Sequence, residues 1–182
     1  LASSGPIIDY RCAANWNPTP SEKSHLGLRS FIQTLTKKIG HHGQKFQYVS
    51  PNTDLLGWVV ERATGTKYST IVSNLLWKPL GAEQPGYLTV DRFGAPRSAG
   101  GKCFTARDLA RVGMLICENG ARDSTQIIPE SWIEDIFSGG NNKAWELGDM
   151  AADFHEKNMA YRSKWYSHKG EKPMVHGVGI HG

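Results

Sequence analysis

The sequence predicts an α+β domain that is predominantly helical and carries a few strands. Five segments with apolar residues at helical spacing lie between residues 26 and 137, and capping residues bound several of them. Two stretches with β-type composition follow near the end of the 182-residue chain. Hydrophobic residues make up 39% and charged residues 21%, which indicates a globular protein, and one domain is the expected organisation at this length.

The first predicted helix covers residues 26–35. Its apolar residues recur at helical spacing, and they are Leu28, Phe31, Ile32 and Leu35. The rest of residues 1–45 is rich in Pro, Ser, Asn and His and offers no second convincing helix. Residues 40–43 break the pattern, and residues 46–48 read as a short extended approach to the next element.

The second predicted helix, residues 51–64, has the sharpest start signal. Ser50 suits an N-cap and Pro51 suits the first helical position, because proline has no N–H to satisfy there. Asp54 falls where the helix dipole favours a carboxylate, and Gly65 suits the left-handed residue after the helix. One face is apolar and consists of Leu55, Leu56, Val59, Val60 and Ala63.

A third helix is predicted over residues 68–77, and Pro79 ends its helical pattern. A fourth begins after Thr105, an N-cap with Asp108 three residues later. Its apolar face consists of Leu109, Val112, Leu115 and Ile116. Because Arg107 fits an exposed position and Asp108 fits a cap partner, neither is assigned to a site.

A fifth, short helix begins at Pro129 and stops at residues 138–140. The side chains expected to face inward are Trp132, Ile133, Ile136 and Phe137. Residues 159–166 and 174–180 then read as a pair of strands separated by a turn.

Charge and hydropathy argue against several function classes. The net charge of +4 is scattered and contains no run of five like charges. Residues 161–166 come nearest to a basic stripe with aromatics, but an exposed strand explains them better, so no nucleic-acid partner is expected. No stretch approaches the roughly 20 apolar residues that span a membrane.

Cysteine and histidine patterns predict neither a disulfide framework nor a metal site. Cys12, Cys103 and Cys117 are an odd number without C-x-x-C spacing, and we expect small buried residues. The seven histidines lack H-x-x-x-H and H-E-x-x-H spacing, and the best candidates would be His41, His42, His176 and His181. No metal and no cofactor are therefore expected.

Tyr48 is the first candidate catalytic residue. It lies just before a predicted helix N-terminus, whose unpaired N–H groups and positive dipole end favour a phenolate. Such a tyrosine can act as a general base, although most tyrosines in this position are packing residues. Its position alone leaves both interpretations open.

Residues 46–61 resemble the second motif of the β-lactamase and penicillin-binding-protein superfamily, in which Y-x-N or Y-x-S precedes a helix containing L-L-G. Further similar segments follow in the family's order, at residues 76–81, 91–94, 100–101 and 105–113. The similarity is best to the branch that contains class C β-lactamases, esterases and aminohexanoate-oligomer hydrolases. In that branch the third motif residue is Ser, here Ser50, and a Gly-Ile-His-Gly type segment, here residues 179–182, replaces K-T-G.

The resemblance implies a truncated DD-peptidase-like fold and assigns roles to individual residues. Tyr48 would be the catalytic base, and Ser50 would orient the substrate or the family's lysine by hydrogen bonding. His181 and Gly179 would line the acyl pocket. Asn52 is a further candidate for substrate contact, although at the second helical position it more simply supports the helix start. The implied chemistry is acyl-enzyme formation from a small amide, lactam or ester.

The family's nucleophile motif is missing from the printed residues. Its mechanism uses a serine with a lysine one helical turn later, and the 182 residues contain no S-x-x-K. Thr34–Lys37 and Thr64–Lys67 have this spacing with threonine, but both fall where predicted helices end. Neither threonine is a plausible nucleophile.

We therefore expect residues 1–182 to form part of one domain of a longer serine hydrolase, without its S-x-x-K segment and its C-terminal strands. The chain alone should be inactive, and the apolar surface left uncovered should favour self-association. The alternative is a degenerate, non-catalytic binding module of the same fold.

Overall fold

A computed structural model describes residues 4–16, 26–36, 40–154 and 158–179. Contacts group the chain into two compact units. Unit 1 comprises Leu1–Lys37 and Val49–Leu109, and unit 2 comprises Lys38–Tyr48 and Ala110–Gly182. The expectation of one domain over residues 1–182 stays a prediction.

Unit 1 is mainly helical. Its helices are α1 (Ser4–Ala13), α2 (Gly27–Gln33), α3 (Ser50–Thr64) and α4 (Tyr68–Val72), which continues as a π-helix (Ser73–Trp77). A short antiparallel pair follows, β1 (Tyr87–Leu88) and β2 (Lys102–Cys103). Helix α5 (Ala106–Cys117) then runs from unit 1 into unit 2.

Helices α1 and α2 supply most of the core of unit 1, whose buried residues are Tyr10, Ala13, Ala14, Leu28, Phe31 and Ala95. Leu28 and Phe31 of the predicted helix are buried. Leu35 is 43% exposed, because α2 ends at Gln33 and Leu35 lies beyond the helical register. Helix α1 was not predicted from the sequence.

Helix α3 begins one residue earlier than predicted, with extended Val49 as its N-cap, and it ends at left-handed Gly65 as expected. The buried face is not the apolar one. Pro51, Asp54 and Gly57 are buried, and a Cβ on Gly57 would lie 2.4 Å from Ser98 Oγ. The predicted apolar face is exposed instead, by 39% at Leu55, 55% at Leu56, 51% at Val59 and 39% at Val60.

Asp54 explains why α3 packs through this face. Its carboxylate is 3% exposed and accepts hydrogen bonds from the Tyr10 hydroxyl at 2.7 Å and from the Ala99 N–H at 2.8 Å. The prediction that Asp54 serves the helix dipole is wrong, because it lies beyond the first turn and bonds to distant segments. A buried carboxylate with several donors thereby joins three parts of unit 1.

The predicted cap of α5 is confirmed. Thr105 Oγ1 accepts from the Asp108 N–H at 3.1 Å and donates to the Asp108 carboxylate at 2.8 Å. Asp108 is fully buried and also accepts from the Glu83 N–H at 2.9 Å. On the predicted apolar face Leu115 is buried, whereas Leu109 is 58% exposed.

Unit 2 contains the greater part of α5, two further helices and several short strands. After α5 come β3 (Ala121–Arg122), β4 (Thr125–Gln126), α6 (Glu130–Ser138), α7 (Asn142–Glu146), a 3-10 turn (Ala151–Asp153), β5 (Met159–Arg162), β6 (Trp165–His168) and β7 (Met174–His176). The last three strands form one antiparallel sheet in the order β5-β6-β7, and α6 contacts all three. Ile133 and Ile136 of α6 are buried as predicted, but Trp132 is 55% exposed.

The predicted strand over residues 159–166 is in fact a hairpin. Ser163 and Lys164 both have left-handed backbone angles, with φ of 51° and 74°, and they connect β5 to β6. Such turns usually carry Asn or Gly, so the residue types gave no sign of this one. The second predicted strand, residues 174–180, is shorter and ends at His176.

Two further points differ from expectation. Helix α7 was not predicted, although Asn141 caps it by accepting from the Ala144 N–H at 3.1 Å. Cys12 is buried as expected, but Cys103 and Cys117 are exposed. Within the described part of the chain, no helix is both long and apolar enough to cross a membrane.

Candidate active site

The segment before Tyr48 is anchored to α7. The Phe46 N–H donates to the Ala144 carbonyl at 2.7 Å, and the Phe46 ring lies 5.1 Å from that of Trp145. Gly148 allows this approach, because a Cβ there would come within 3.0 Å of the Phe46 carbonyl oxygen. The backbone just before Tyr48 is therefore held in place by α7 of unit 2.

The Tyr48 ring packs against the sheet at Tyr161. The two ring centroids are 6.3 Å apart with an interplanar angle of 75°, an edge-to-face contact. Tyr48 is nevertheless 49% exposed. Its side chain is thus held on one side and open to solvent on the other, which is an arrangement that suits a group acting on a substrate.

Tyr161 belongs to a cluster of aromatic rings on β5 and β6. It lies 4.7 Å from Phe46 and 4.9 Å from Tyr166, its directly opposite partner in the sheet. Tyr166 in turn stacks on His176 of β7 at 5.3 Å with an angle of 15°. Tyr48 is therefore linked through packed rings to all three strands.

Two phenols beside Tyr48 are held in their neutral form. Burial raises the pKa of Tyr161 first, and negative charge on Tyr48 or Tyr166 raises it further. Burial, followed by charge on Tyr48, raises the pKa of Tyr166 to about 12. Neither Tyr161 nor Tyr166 is therefore a base at neutral pH.

The structure places the other predicted site residues in different parts of the chain. Ser50 is half-buried at the start of α3, and Asn52 is exposed, with its N–H donating to the Val49 carbonyl at 3.1 Å. Both belong to unit 1, whereas Tyr48 belongs to unit 2, so chain position alone relates them here. Substrate binding by Ser50 and Asn52 stays a prediction.

Gly179 is exposed and follows β7 by three residues. Since His176 of β7 packs on Tyr166, the strand that leads to Gly179 joins the same ring cluster as Tyr48. His181 lies outside the described residues.

Tyr161 was not predicted from the sequence as a neighbour of Tyr48. Its strand partner Tyr166 is only 4% exposed. The hairpin at Ser163 and Lys164 brings Tyr161 opposite Tyr166, and that pairing could not be read without the turn. Among the described residues, no three His, Cys, Asp or Glu side chains are grouped to hold a metal ion.

Comparison with known proteins finds similarity along most of the chain. The profile of the β-lactamase family matches residues 13–180. A 6-aminohexanoate-dimer hydrolase from Paenarthrobacter ureafaciens is 38% identical over 152 residues, which cover 84% of this chain and 38% of that protein. The chain thus spans well under half of this relative.

Solved structures show the same fold. A Bacillus anthracis protein provisionally assigned as a 6-aminohexanoate-dimer hydrolase superposes with a TM-score of 0.82 and 24% identity, covering 98% of this chain and 44% of that one. A Bacteroides dorei protein provisionally assigned as a β-lactamase gives a TM-score of 0.53 and 19% identity, covering 82% of this chain and 54% of that one. At these identities the superpositions support the fold alone.

Proposed function

Because the chain belongs to the β-lactamase family, we propose that it is the tyrosine-bearing part of a serine hydrolase that cleaves small linear amides. Tyr48 is its general base. The observation that carries this proposal is the environment of Tyr48, a motif residue. Its ring packs on Tyr161, and 49% of its surface is exposed to solvent. The 38% identity to a 6-aminohexanoate-dimer hydrolase favours an amide over a lactam or an ester.

The proposed reaction needs a serine and a lysine from outside the printed residues. The serine Oγ attacks the amide carbonyl carbon while its proton passes through the lysine and Tyr48. The tetrahedral intermediate then collapses, the C–N bond breaks, and the Tyr48 hydroxyl returns the proton to the leaving amine. Water then attacks the carbonyl carbon of the resulting ester while its proton passes to the same base. The C–Oγ bond breaks, the serine oxygen takes that proton back, and the carboxylic acid is released.

The remaining site residues are proposed to bind rather than to transfer protons. Ser50 would orient the substrate or the lysine by hydrogen bonding. Gly179, and His181 beyond the described residues, would line the acyl pocket, and a backbone N–H near them would supply one oxyanion donor. Such a donor typically contributes about 3 kcal/mol to transition-state stabilisation. Asn52 is the weakest candidate, because a polar residue at the start of α3 is explained by the helix start alone.

Intact mass spectrometry of the full-length protein tests the proposal directly. The protein should hydrolyse a dimer of 6-aminohexanoate, and rapid quenching with a p-nitrophenyl ester should trap one added acyl group. Residues 1–182 alone are the matched control and should show neither product nor adduct. Binding of the amide without turnover or adduct in the full-length protein would support the degenerate binding module instead.

A further inference from the structure

Tyr161 is the aromatic partner of Tyr48, and its placement suggests a task beyond core packing. Its ring meets the Tyr48 ring at 75° with centroids 6.3 Å apart. We propose that Tyr161 is the positioning residue for Tyr48, holding the phenol in the orientation that proton transfer requires. This inference rests on the proposed function of Tyr48 as a general base.

A half-exposed phenol needs such a partner. Tyr48 has 49% of its surface in solvent, so much of its side chain has no packing to restrict its rotation. A general base must lie within hydrogen-bond reach of the group that it deprotonates. A misplacement of about 1 Å can cost on the order of 100-fold in rate, so the residue that orients the base controls turnover.

Tyr161 is rigid enough to orient another ring. It lies inside β5, opposite Tyr166 on β6, and the two rings are 4.9 Å apart at 72°. On its other side the Phe46 ring lies at 4.7 Å, and Phe46 is itself bonded to α7 through its N–H. Because Tyr161 is fixed within the sheet, its contact with the Tyr48 ring restricts the orientation of that ring.

The ring of Tyr161, rather than its hydroxyl, does the positioning. Burial keeps the pKa of Tyr161 above its ordinary value, so this phenol remains neutral and does not compete as a base. An edge-to-face contact depends on the quadrupoles of the two rings and survives loss of the hydroxyl. A phenylalanine at position 161 should therefore still position the Tyr48 ring, and an aliphatic residue there should not.

Steady-state kinetics of the full-length protein on the amide substrate test this inference. Tyr161→Leu should lower kcat by about 10-fold to 100-fold and leave KM within about twofold, because the base is misplaced while substrate binding is kept. Tyr161→Phe should restore kcat to near the parent value. The control is Phe154→Leu, which removes a ring that stacks on Tyr166 at 5.1 Å and loses packing in the same cluster.

The variants distinguish positioning from stability. If Phe154→Leu lowers kcat as much as Tyr161→Leu at a similar loss of Tm, Tyr161 is only a core residue and the inference is overturned. Parent-like kcat in Tyr161→Leu overturns it as well. Full turnover in Tyr48→Phe would instead remove the proposed function of Tyr48 itself, so the two failures are separable.

A second readout covers the case in which Tyr161→Leu does not fold. Proton cross-relaxation in the parent protein, with selectively labelled tyrosine rings, should connect the Tyr48 and Tyr161 rings and show one dominant Tyr48 rotamer. Absence of that cross-peak, or several equally populated rotamers, would overturn the inference without any variant.

Discussion

The Tyr10 hydroxyl donates a 2.7 Å hydrogen bond to the Asp54 carboxylate, which joins α1 to α3 inside unit 1. Tyr10 is 2% exposed and Asp54 is 3% exposed. Burial, and then the charge of Asp54, raises the pKa of Tyr10, so the phenol remains a donor. A buried carboxylate must keep its donors, because an unpaired charge in the interior is costly.

Tyr10→Phe should therefore destabilise the protein by about 2 kcal/mol, the usual range for a hydrogen bond to a charged group. The variant keeps the ring in the α1–α2 core and removes the hydroxyl that donates to Asp54. Tyr87→Phe is the control, because Tyr87 is 70% exposed. Chemical unfolding of both variants measures the difference, and equal stability would show that the Tyr10–Asp54 bond contributes nothing.

The turn between β5 and β6 offers a stabilising change. Ser163 and Lys164 hold φ of 51° and 74°, which Asn and Gly adopt with less strain. The double variant Ser163→Asn, Lys164→Gly should raise the free energy of unfolding by about 0.5–1 kcal/mol. A fall in the thermal midpoint would show that the turn is not left-handed.

Interactions between residues close in the sequence could be predicted, and those between distant residues could not. The cap between Thr105 and Asp108 spans three residues, and it was predicted correctly because both partners are visible together. The buried face of α3 was predicted wrongly. The apolar pattern predicted that Leu56 is in the core and that Asp54 interacts with the helix dipole. Asp54 is buried instead, because it accepts hydrogen bonds from Tyr10 and Ala99, which are distant in the sequence.

The candidate site shows the same division. Tyr48 could be selected from its motif, since Tyr48 and Ser50 are neighbours in the sequence. Its partner Tyr161 lies more than one hundred residues away in the chain and approaches through a turn without Gly or Asn. No periodicity or short motif links residues this far apart in the chain, so only the fold reveals the contact between Tyr161 and Tyr48.

Alkaline pH should weaken the folded state through the buried phenols. The folded-state pKa of Tyr166 is raised from 10.0 to about 12, so the unfolded chain releases this proton first. The contribution of Tyr166 to stability should be constant below about pH 10 and be lost progressively between about pH 10 and 12. Tyr166→Phe should have a shallower decline in the free energy of unfolding over this range. If the free energy of unfolding of Tyr166→Phe declines with pH as steeply as that of the unsubstituted protein, the raised pKa of Tyr166 is contradicted.

The exposed face of α3 should drive association of the isolated chain. Leu56 is 55% exposed and Val59 is 51% exposed, one turn apart on the same face. We propose that Leu56→Lys with Val59→Lys lowers the sedimentation coefficient of residues 1–182 towards that of a monomer. Thr70→Lys adds charge at an exposed position off this face and should leave association unchanged. If the unsubstituted chain, the double variant and Thr70→Lys associate equally, this face of α3 is not the surface through which the chain associates.

The role of Tyr48 is the central claim, and substitution of its hydroxyl tests it most directly. In the full-length protein, Tyr48→Phe should lower kcat for amide hydrolysis by about 100-fold to 10,000-fold, the usual contribution of a general base. Its ring contact with Tyr161 remains, so Tm should match that of the exposed control Tyr87→Phe. A kcat for Tyr48→Phe equal to that of the control would contradict the account, and a large loss at unchanged Tm is the result it predicts.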